Sequence, residues 1–192
     1  DPAAGKSIAY LYQQLVGEGI IEKVAPTAMS DYAGSFLHMG AAMDKLAQAD
    51  PARFPDPSIA QVRAAVTEAC VLPLASQAVK NHAPLNTAVK GSKRVEKNGT
   101  PVLLAGCRGT GKRLLVHAVA SSTGANLFNL TPSNTAGKYG GKTGPTTLVH
   151  TVLKVAKALP PAGVWIGEAE TVWAAASKKK VKEPANRILK PL

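Results

Sequence analysis

The first 58 residues combine one helical repeat of apolar positions with a proline-rich stretch. Ser7 is a suitable N-cap. The apolar residues that follow it at helical spacing are Ile8, Leu11, Leu15, Val16 and Ile20. This spacing predicts a short docking helix. Residues 49–58 contain three prolines, which is typical of a linker rather than a core element.

A second helical repeat follows the proline-rich stretch. Asp56 is a suitable cap, and Pro57 suits the first helical position because its φ angle is already helical. The apolar stripe consists of Ile59, Val62, Ala65, Val66, Ala69 and Cys70. Pro73 is predicted to break or kink this helix, since a proline inside a helix removes a backbone hydrogen bond.

From residue 101 onward, short apolar runs alternate with helical patterns. The runs, which have the character of fully buried parallel strands, are residues 101–105, 125–130 and 163–167. The helical patterns between them are residues 112–122 and 146–159. A strand–helix–strand–helix–strand order predicts an α/β fold with a parallel sheet and right-handed crossovers. The lysine-bearing residues 90–99 predict an exposed loop.

Charge is spread unevenly. Residues 1–70 hold five Lys or Arg against eight Asp or Glu, a net of −3, whereas residues 71–192 hold eighteen against four, a net of +14. The second part therefore favours anionic partners. Its aromatic residues, Phe128, Tyr139, Trp165 and Trp173, are too far apart to form a base-stacking surface, so we expect no nucleic acid. The basic residues 177–182 fit a solvated surface and a contact with an acidic protein surface equally well.

Composition narrows the class of protein further. No apolar run approaches the roughly 20 residues that cross a bilayer, and we expect a soluble, intracellular segment of a longer chain without membrane contact. The two cysteines and four histidines of the chain do not have the spacing of metal ligands or of a disulfide framework, so neither a zinc site nor such a framework is predicted. They are Cys70, Cys107, His38, His82, His117 and His150.

The most informative motif is GCRGTGK at residues 106–112. It matches the phosphate-loop pattern G-x-x-x-x-G-K, and it lies after a predicted strand and before a predicted helix. In that context backbone N–H groups surround the phosphates and Lys112 reaches the terminal ones. The predicted nucleotide-binding residues are Gly106, Cys107, Arg108, Gly109, Thr110, Gly111, Lys112, Arg113 and Leu114.

The same motif departs from its template where magnesium should bind. Arg113 follows the lysine, in place of the Ser or Thr whose hydroxyl ligates the metal, and a guanidinium offers only donors. After the strand at 163–167, where an Asp-Glu pair is expected, the chain has Gly167 and Glu168. Both losses affect one ion, so we expect nucleotide binding with doubtful magnesium dependence and weak hydrolysis.

These residues resemble the AAA ATPases, in particular the branch with the microtubule-severing enzymes. The resemblance rests on GCRGTGKRLLVHAVASSTGANLFNL, on AGKYGGK and on PPAGVWIGEAE. It is closer to the IQ and AAA domain-containing protein family, whose AAA member belongs to the nexin-dynein regulatory complex of motile cilia. Residues 56–80 are similar to the helical stretch before the AAA core of that family.

The resemblance implies a division of the chain and a place in the cell. Residues 1–55 would be a docking segment and linker, 56–98 a helical lead-in, and 99–192 a partial AAA core that holds ATP or ADP. It implies an axonemal subunit that links doublet microtubules and regulates dynein. The implied partners are other subunits of that complex, tubulin, and calmodulin through sequence outside these 192 residues.

The resemblance also implies roles for two residues of the core. Glu168 corresponds to the catalytic acid in vestigial form, and Tyr139 corresponds to the aromatic that AAA rings carry into a central pore. For Tyr139 we favour an exposed loop tyrosine without a pore, because three glycines flank it and a fixed lattice has no use for a threading ring. The chain is accordingly not expected to form a hexamer.

Three functions remain open from the sequence. The first is a structural and regulatory subunit with a degenerate AAA module. The second is an active AAA ATPase that remodels a microtubule-associated or protein substrate, which would need acids that compensate for Arg113 and Gly167. The third, a basic nucleic-acid binder, would need aromatic residues close to the basic ones.

Overall fold

The computed structural model describes residues 5–33, 57–82, 87–90, 93–96, 101–173, 184–189 and 191. The chain divides into two compact units. The first unit joins the two ends of the sequence, Asp1–Val24 and Ala125–Leu192, and the second unit is Ala25–Gly124.

Within the described residues, helices and strands succeed one another in this order along the chain. The α-helices are α1 (Ile8–Gly17), α2 (Ile59–Val66), α3 (Leu72–Ala75), α4 (Gln77–His82), α5 (Lys112–Thr123), α6 (Pro132–Thr135), α7 (Gly144–Ala158) and α8 (Ala169–Val172). The strands are β1 (Ile21–Glu22), β2 (Thr87–Lys90), β3 (Lys93–Glu96), β4 (Asn126–Asn129) and β5 (Ala162–Trp165). A π-helical turn spans Thr67–Val71, and 3₁₀ turns span Met29–Asp31 and Ala185–Ile188.

The first unit is built on a three-stranded sheet with the order β1-β4-β5. β4 and β5 run parallel, with Phe128 opposite Val164, and α6 and α7 lie between them in sequence. A parallel pair joined by a helical crossover is the arrangement that the alternating pattern predicts. β1 is added antiparallel to β4, with Ile21 opposite Phe128.

The core of the first unit draws on both ends of the chain. Its buried members are Leu11, Leu15, Ile20, Phe128, Leu130, Leu148, Val152, Val155, Val172 and Ile188. Ser7 caps α1 as predicted, since its Oγ accepts a hydrogen bond from the Tyr10 N–H at 3.3 Å. Leu11, Leu15 and Ile20 of the predicted apolar face are thus buried inside the same unit, whereas Val16 is 47% exposed, and docking through α1 stays a prediction.

In the second unit, the cap of α2 differs from the prediction. Ser58 caps the helix rather than Asp56, and Ser58 and Gln61 exchange hydrogen bonds of 3.2 and 2.9 Å in a capping box. A serine with a glutamine three residues later satisfies two backbone donors at once, which a lone aspartate does not. The helix then widens into the π-helical turn and resumes as α3, with Pro73 in its first turn, so the predicted interruption is confirmed.

Two further expectations are corrected in this unit. Residues 93–96, predicted as part of a loop, form a strand that pairs antiparallel with β2, with Thr87 opposite Glu96. Gly-Ser at 91–92 is a pair typical of two-residue hairpin connections, and the lysines concealed this signal. Residues 101–105, predicted as a buried strand, join no sheet among the described residues, and Leu103 is 79% exposed.

Some predictions fall outside this description. Residues 49–56 of the predicted linker and the basic residues 177–182 are not among the described residues. Within the part of the chain that is described, none of the helices is both long enough and apolar enough to cross a membrane.

Candidate nucleotide-binding loop and its surroundings

The phosphate loop, residues 106–111, lies on the surface of the second unit and leads directly into α5. Gly109 and Gly111 have φ angles of +89° and +81°, a region that side chains disfavour and glycine adopts freely. Gly111 is also the N-cap of α5 and accepts the first helical hydrogen bond, from the Leu115 N–H at 3.0 Å. The loop therefore presents its backbone at the positive end of a 12-residue helix.

Lys112 is folded back into this loop. Its Nζ donates to the carbonyl oxygens of Gly106 and Cys107, each at 2.6 Å. The Thr110 hydroxyl donates to the Cys107 carbonyl as well, at 2.9 Å. An ammonium held by neutral carbonyls keeps its full charge, so a phosphate oxygen entering the loop would gain a charge-assisted hydrogen bond from it.

The remaining predicted residues surround this arrangement. Cys107, Arg108 and Arg113 are exposed, and Leu114 is half-buried. Arg113 stands in the first turn of α5, where a guanidinium adds positive charge and supplies no metal ligand. The structure thus keeps residues 106–114 together as a cationic loop.

Sequence reasoning missed Tyr32, whose ring packs against the phosphate loop. A Cβ atom at Gly111 would lie 2.8 Å from Cε2 of that ring. The segment that carries Tyr32 runs along α5, because the Ala25 N–H donates to Nδ1 of His117 at 3.3 Å and the Thr27 N–H to Oγ of Ser121 at 3.4 Å. No periodicity or spacing relates residues so far apart.

The acidic residue that follows strand β5, Glu168, lies in the first unit. Glu168 is exposed, lies in the left-handed region with φ +55°, and precedes α8 as its N-cap. The neighbouring Gly167 is tightly enclosed: its N–H donates to Oγ1 of Thr131 at 2.9 Å, and a Cβ there would lie 2.8 Å from the Trp165 ring. Position 167 therefore lacks a carboxylate and has little room for one.

Tyr139 is not the exposed loop tyrosine that we expected. It is half-buried and packs against the core of the first unit, with its backbone in the left-handed region at φ +51°. Its hydroxyl accepts a hydrogen bond from Nε2 of Gln14 at 3.3 Å. Burial, a hydrogen bond to Glu18 and the negative charge of that carboxylate together raise the pKa of Tyr139 above its usual range. Helix α1 thus supplies an environment that the flanking glycines did not predict.

A second residue that sequence reasoning missed is Arg187, which lies in the 3₁₀ turn near the end of the chain. Its guanidinium donates to the carbonyl oxygens of Thr135, Lys138 and Tyr139, the last two at 2.9 and 3.5 Å. Its neighbour Ile188 is 1% exposed and belongs to the core. The basic sequence around residue 187, which contains a proline, carries no local signal for these contacts.

Comparison with known proteins identifies relatives over most of the chain. Residues 102–192 match the family described as ATPase family associated with various cellular activities (AAA). The chain is 40% identical over 182 residues to dynein regulatory complex protein 11 of Mus musculus, which covers 95% of this chain and 19% of that protein. It spans about a fifth of that relative's length.

Two shorter matches each cover about half of the chain. The chain is 30% identical over 99 residues to a katanin p60 ATPase-containing protein of Mus musculus, covering 52% of this chain and 19% of that protein. It is 30% identical over 87 residues to protein SAP1 of Saccharomyces cerevisiae, covering 45% of this chain and 10% of that protein.

Proposed function

Because this chain is an AAA-domain protein similar to dynein regulatory complex protein 11, we propose that it serves as a structural and regulatory subunit of the ciliary nexin-dynein regulatory complex. In this role it links doublet microtubules and regulates dynein through an AAA module that binds ATP or ADP with little or no hydrolysis. The observation that carries the proposal is the 40% identity over 95% of the chain.

Nucleotide binding is supported by the geometry of the phosphate loop. The nucleotide would be held by backbone N–H groups of residues 106–111, by the start of α5 and by the Lys112 ammonium, which replaces its two carbonyl partners with phosphate oxygens. Arg113 adds a second positive charge beside the loop. Every group in this set attracts an anion, and the set fits a diphosphate or triphosphate.

Weak hydrolysis is supported by the residues at the two positions that ligate magnesium in the sequence pattern, because neither residue can supply a ligand. Arg113 stands where a hydroxyl ligand is required, and Gly167 stands where a carboxylate is required. A metal ion contributes several kcal/mol to phosphoryl transfer, so its loss lowers the rate by roughly a hundredfold or more. Glu168 keeps its carboxylate, but without bound magnesium there is no activated nucleotide on which this carboxylate could act.

The partners and the location follow from the same proposal. The partners are the other subunits of the regulatory complex, and the site of action is the axoneme of cilia and flagella. Tubulin and calmodulin are proposed as further contacts, the second through sequence outside these 192 residues. The module acts as one copy within the assembly rather than as a hexamer, and it binds neither nucleic acid nor membrane.

The experiment measures nucleotide binding with and without magnesium, together with phosphate release, on the full-length protein. We expect binding that magnesium leaves unchanged and no phosphate release above background. In the double substitution Arg113→Thr with Gly167→Asp, binding becomes magnesium-sensitive because both changes serve one ion.

The matched control is Arg113→Thr with Gly167→Ala. Alanine introduces the same Cβ against Trp165 as aspartate does, without the carboxylate, so it separates the packing effect from metal binding. Magnesium-dependent phosphate release from the unsubstituted protein, abolished by Glu168→Gln, would instead establish an active AAA ATPase.

A further inference from the structure

The loop that carries Tyr139 is held from two sides by elements distant in sequence. This Tyr139 loop, residues 136–143, connects α6 to α7 within the first unit. On one side is α1, whose Gln14 donates to the Tyr139 hydroxyl, with the carboxylate of the following Glu18 beside it. On the other side is Arg187, which donates to the Tyr139 and Lys138 carbonyls. Side chain and backbone of the loop are therefore fixed by different partners.

The two ends of the loop are anchored as well. At its start, Nδ2 of Asn134 donates to the Gly19 carbonyl at 3.0 Å and to the Asn129 carbonyl at 2.9 Å, while Oδ1 of Asn134 accepts from Nζ of Lys138 at 3.3 Å. At its end, Gly144 is so close to the backbone of Tyr139 that a Cβ atom there would overlap its carbonyl oxygen. This fit leaves the loop little room to shift while its anchors are in place.

The closed arrangement also carries two local costs. Tyr139 adopts a left-handed backbone conformation that non-glycine residues disfavour. Oε1 of Glu18 accepts from Gln14 at 3.1 Å, but its Oε2 is buried with no hydrogen-bond partner in the described part of the chain. A buried carboxylate oxygen without a partner is unfavourable, and water would satisfy it once the loop moved away. Both costs favour opening, and the hydrogen bonds to α1 and Arg187 oppose it.

We propose that α1 and Arg187 form a two-sided latch that holds the Tyr139 loop against the core, and that the loop swings out when either side releases it. The closed state withdraws the phenol from solvent, and the open state presents it on a glycine-bearing loop. The balance between these two states is set by the bonds that Gln14 and Arg187 make to the loop.

Hydrogen–deuterium exchange of the backbone amides of residues 136–143 in the full-length protein tests the latch. Arg187→Ala is expected to accelerate exchange there by about tenfold or more, because three hydrogen bonds to a charged donor are lost. Arg187→Lys keeps the charge without the planar fork and should give an intermediate rate. Lys157→Ala, an exposed lysine of α7, is the matched control and should leave the loop unchanged.

Tyr139→Phe provides a second route, since it keeps the ring and removes only the hydroxyl that Gln14 binds and that lies beside the Glu18 carboxylate. We expect a few-fold faster exchange of the loop, with β4 unaffected. If Arg187→Ala fails to fold, hydrogen exchange of the loop in Tyr139→Phe tests the latch by itself. Unchanged exchange in the loop, or an equal increase in the loop and in β4, would overturn the latch.

Discussion

Two glycine-bearing loops of this chain lead into long helices, and they are held in different ways. The phosphate loop before α5 is satisfied by neighbours three to six positions away, as in the bonds from Lys112 and Thr110. The Tyr139 loop before α7 is satisfied from 125 positions away by Gln14 and from about 50 by Arg187. Local bonds can be exchanged for those of a ligand within the loop itself, whereas distant bonds tie the loop to other elements, so that a displacement of either partner element alters them.

The comparison therefore assigns the two loops different kinds of change. Lys112 can leave its carbonyl partners by rotating its own side chain, which suits a site that binds and releases an anion. Tyr139 is bonded to Gln14 of α1, so a shift of the loop or of α1 alters this bond, which suits a contact that reports on another part of the protein. Substitutions in the two loops should consequently affect different measurements.

The largest expected effect is the loss of nucleotide binding in Lys112→Ala. The change removes the one ammonium inside the phosphate loop, and we expect affinity to fall by at least about a hundredfold. The free energy of unfolding should change by no more than about 0.5 kcal/mol, since the lysine packs no core. Calorimetric titration with ATP and with ADP measures the first quantity, and urea unfolding the second. Unimpaired binding would contradict the proposed site.

The next effect compares a glycine of each loop. Gly144→Ala should destabilise the protein by about 3 kcal/mol, because the new methyl group overlaps the Tyr139 backbone and can be accommodated only if the loop gives up its bonds to α1 and Arg187. Gly109→Ala meets no atom within 4 Å and suffers only the strain of its positive φ, about 1–2 kcal/mol. Urea unfolding of both variants gives the difference. If Gly109→Ala proved the more damaging, the Tyr139 loop would be the looser of the two.

The smallest expected effect is the pH dependence contributed by Tyr139. The folded chain holds the phenolic proton more tightly than the unfolded chain, where the pKa is about 10. This contribution to stability is complete below pH 10 and is lost as the pH rises toward the elevated pKa. Above pH 10, the free energy of unfolding should therefore fall more steeply in the native protein than in Tyr139→Phe. Parallel curves would show that the phenol is not buried against Glu18.

Periodicity and motif spacing were sufficient for most elements of the α/β core. The helices predicted at 112–122 and 146–159 and the strands within 125–130 and 163–167 are confirmed, and so is the AAA fold class. Each of these elements carries its own signal, because its apolar residues repeat within a few positions. The phosphate-loop motif is also contained in seven consecutive residues, and its role in binding nucleotide stays a prediction.

The predictions that failed concern residues whose environment is set by contacts with residues distant in sequence. Residues 101–105 have the composition of a strand, yet composition does not specify which strand would pair with them. Tyr139 was predicted from its glycine neighbours, whereas its environment is set by Gln14 and Glu18 at the end of α1. Arg187 stands in a basic segment whose pattern cannot reveal three carbonyl acceptors. Contacts of this kind are fixed by tertiary structure, and no local window contains them.

The antiparallel pairing of β1 with β4 has a consequence for biosynthesis. Glu22 receives a hydrogen bond from Asn129, 107 positions later, so the sheet of the first unit closes a very long loop. At roughly 5–20 residues per second, a ribosome needs about 5–20 s to supply the second partner after the first. During that interval Leu11 and Leu15 lack the core that later covers them. The apolar residues of α1 therefore stay uncovered in a newly made chain during that interval, and the large sequence separation of these contacts predicts slow folding.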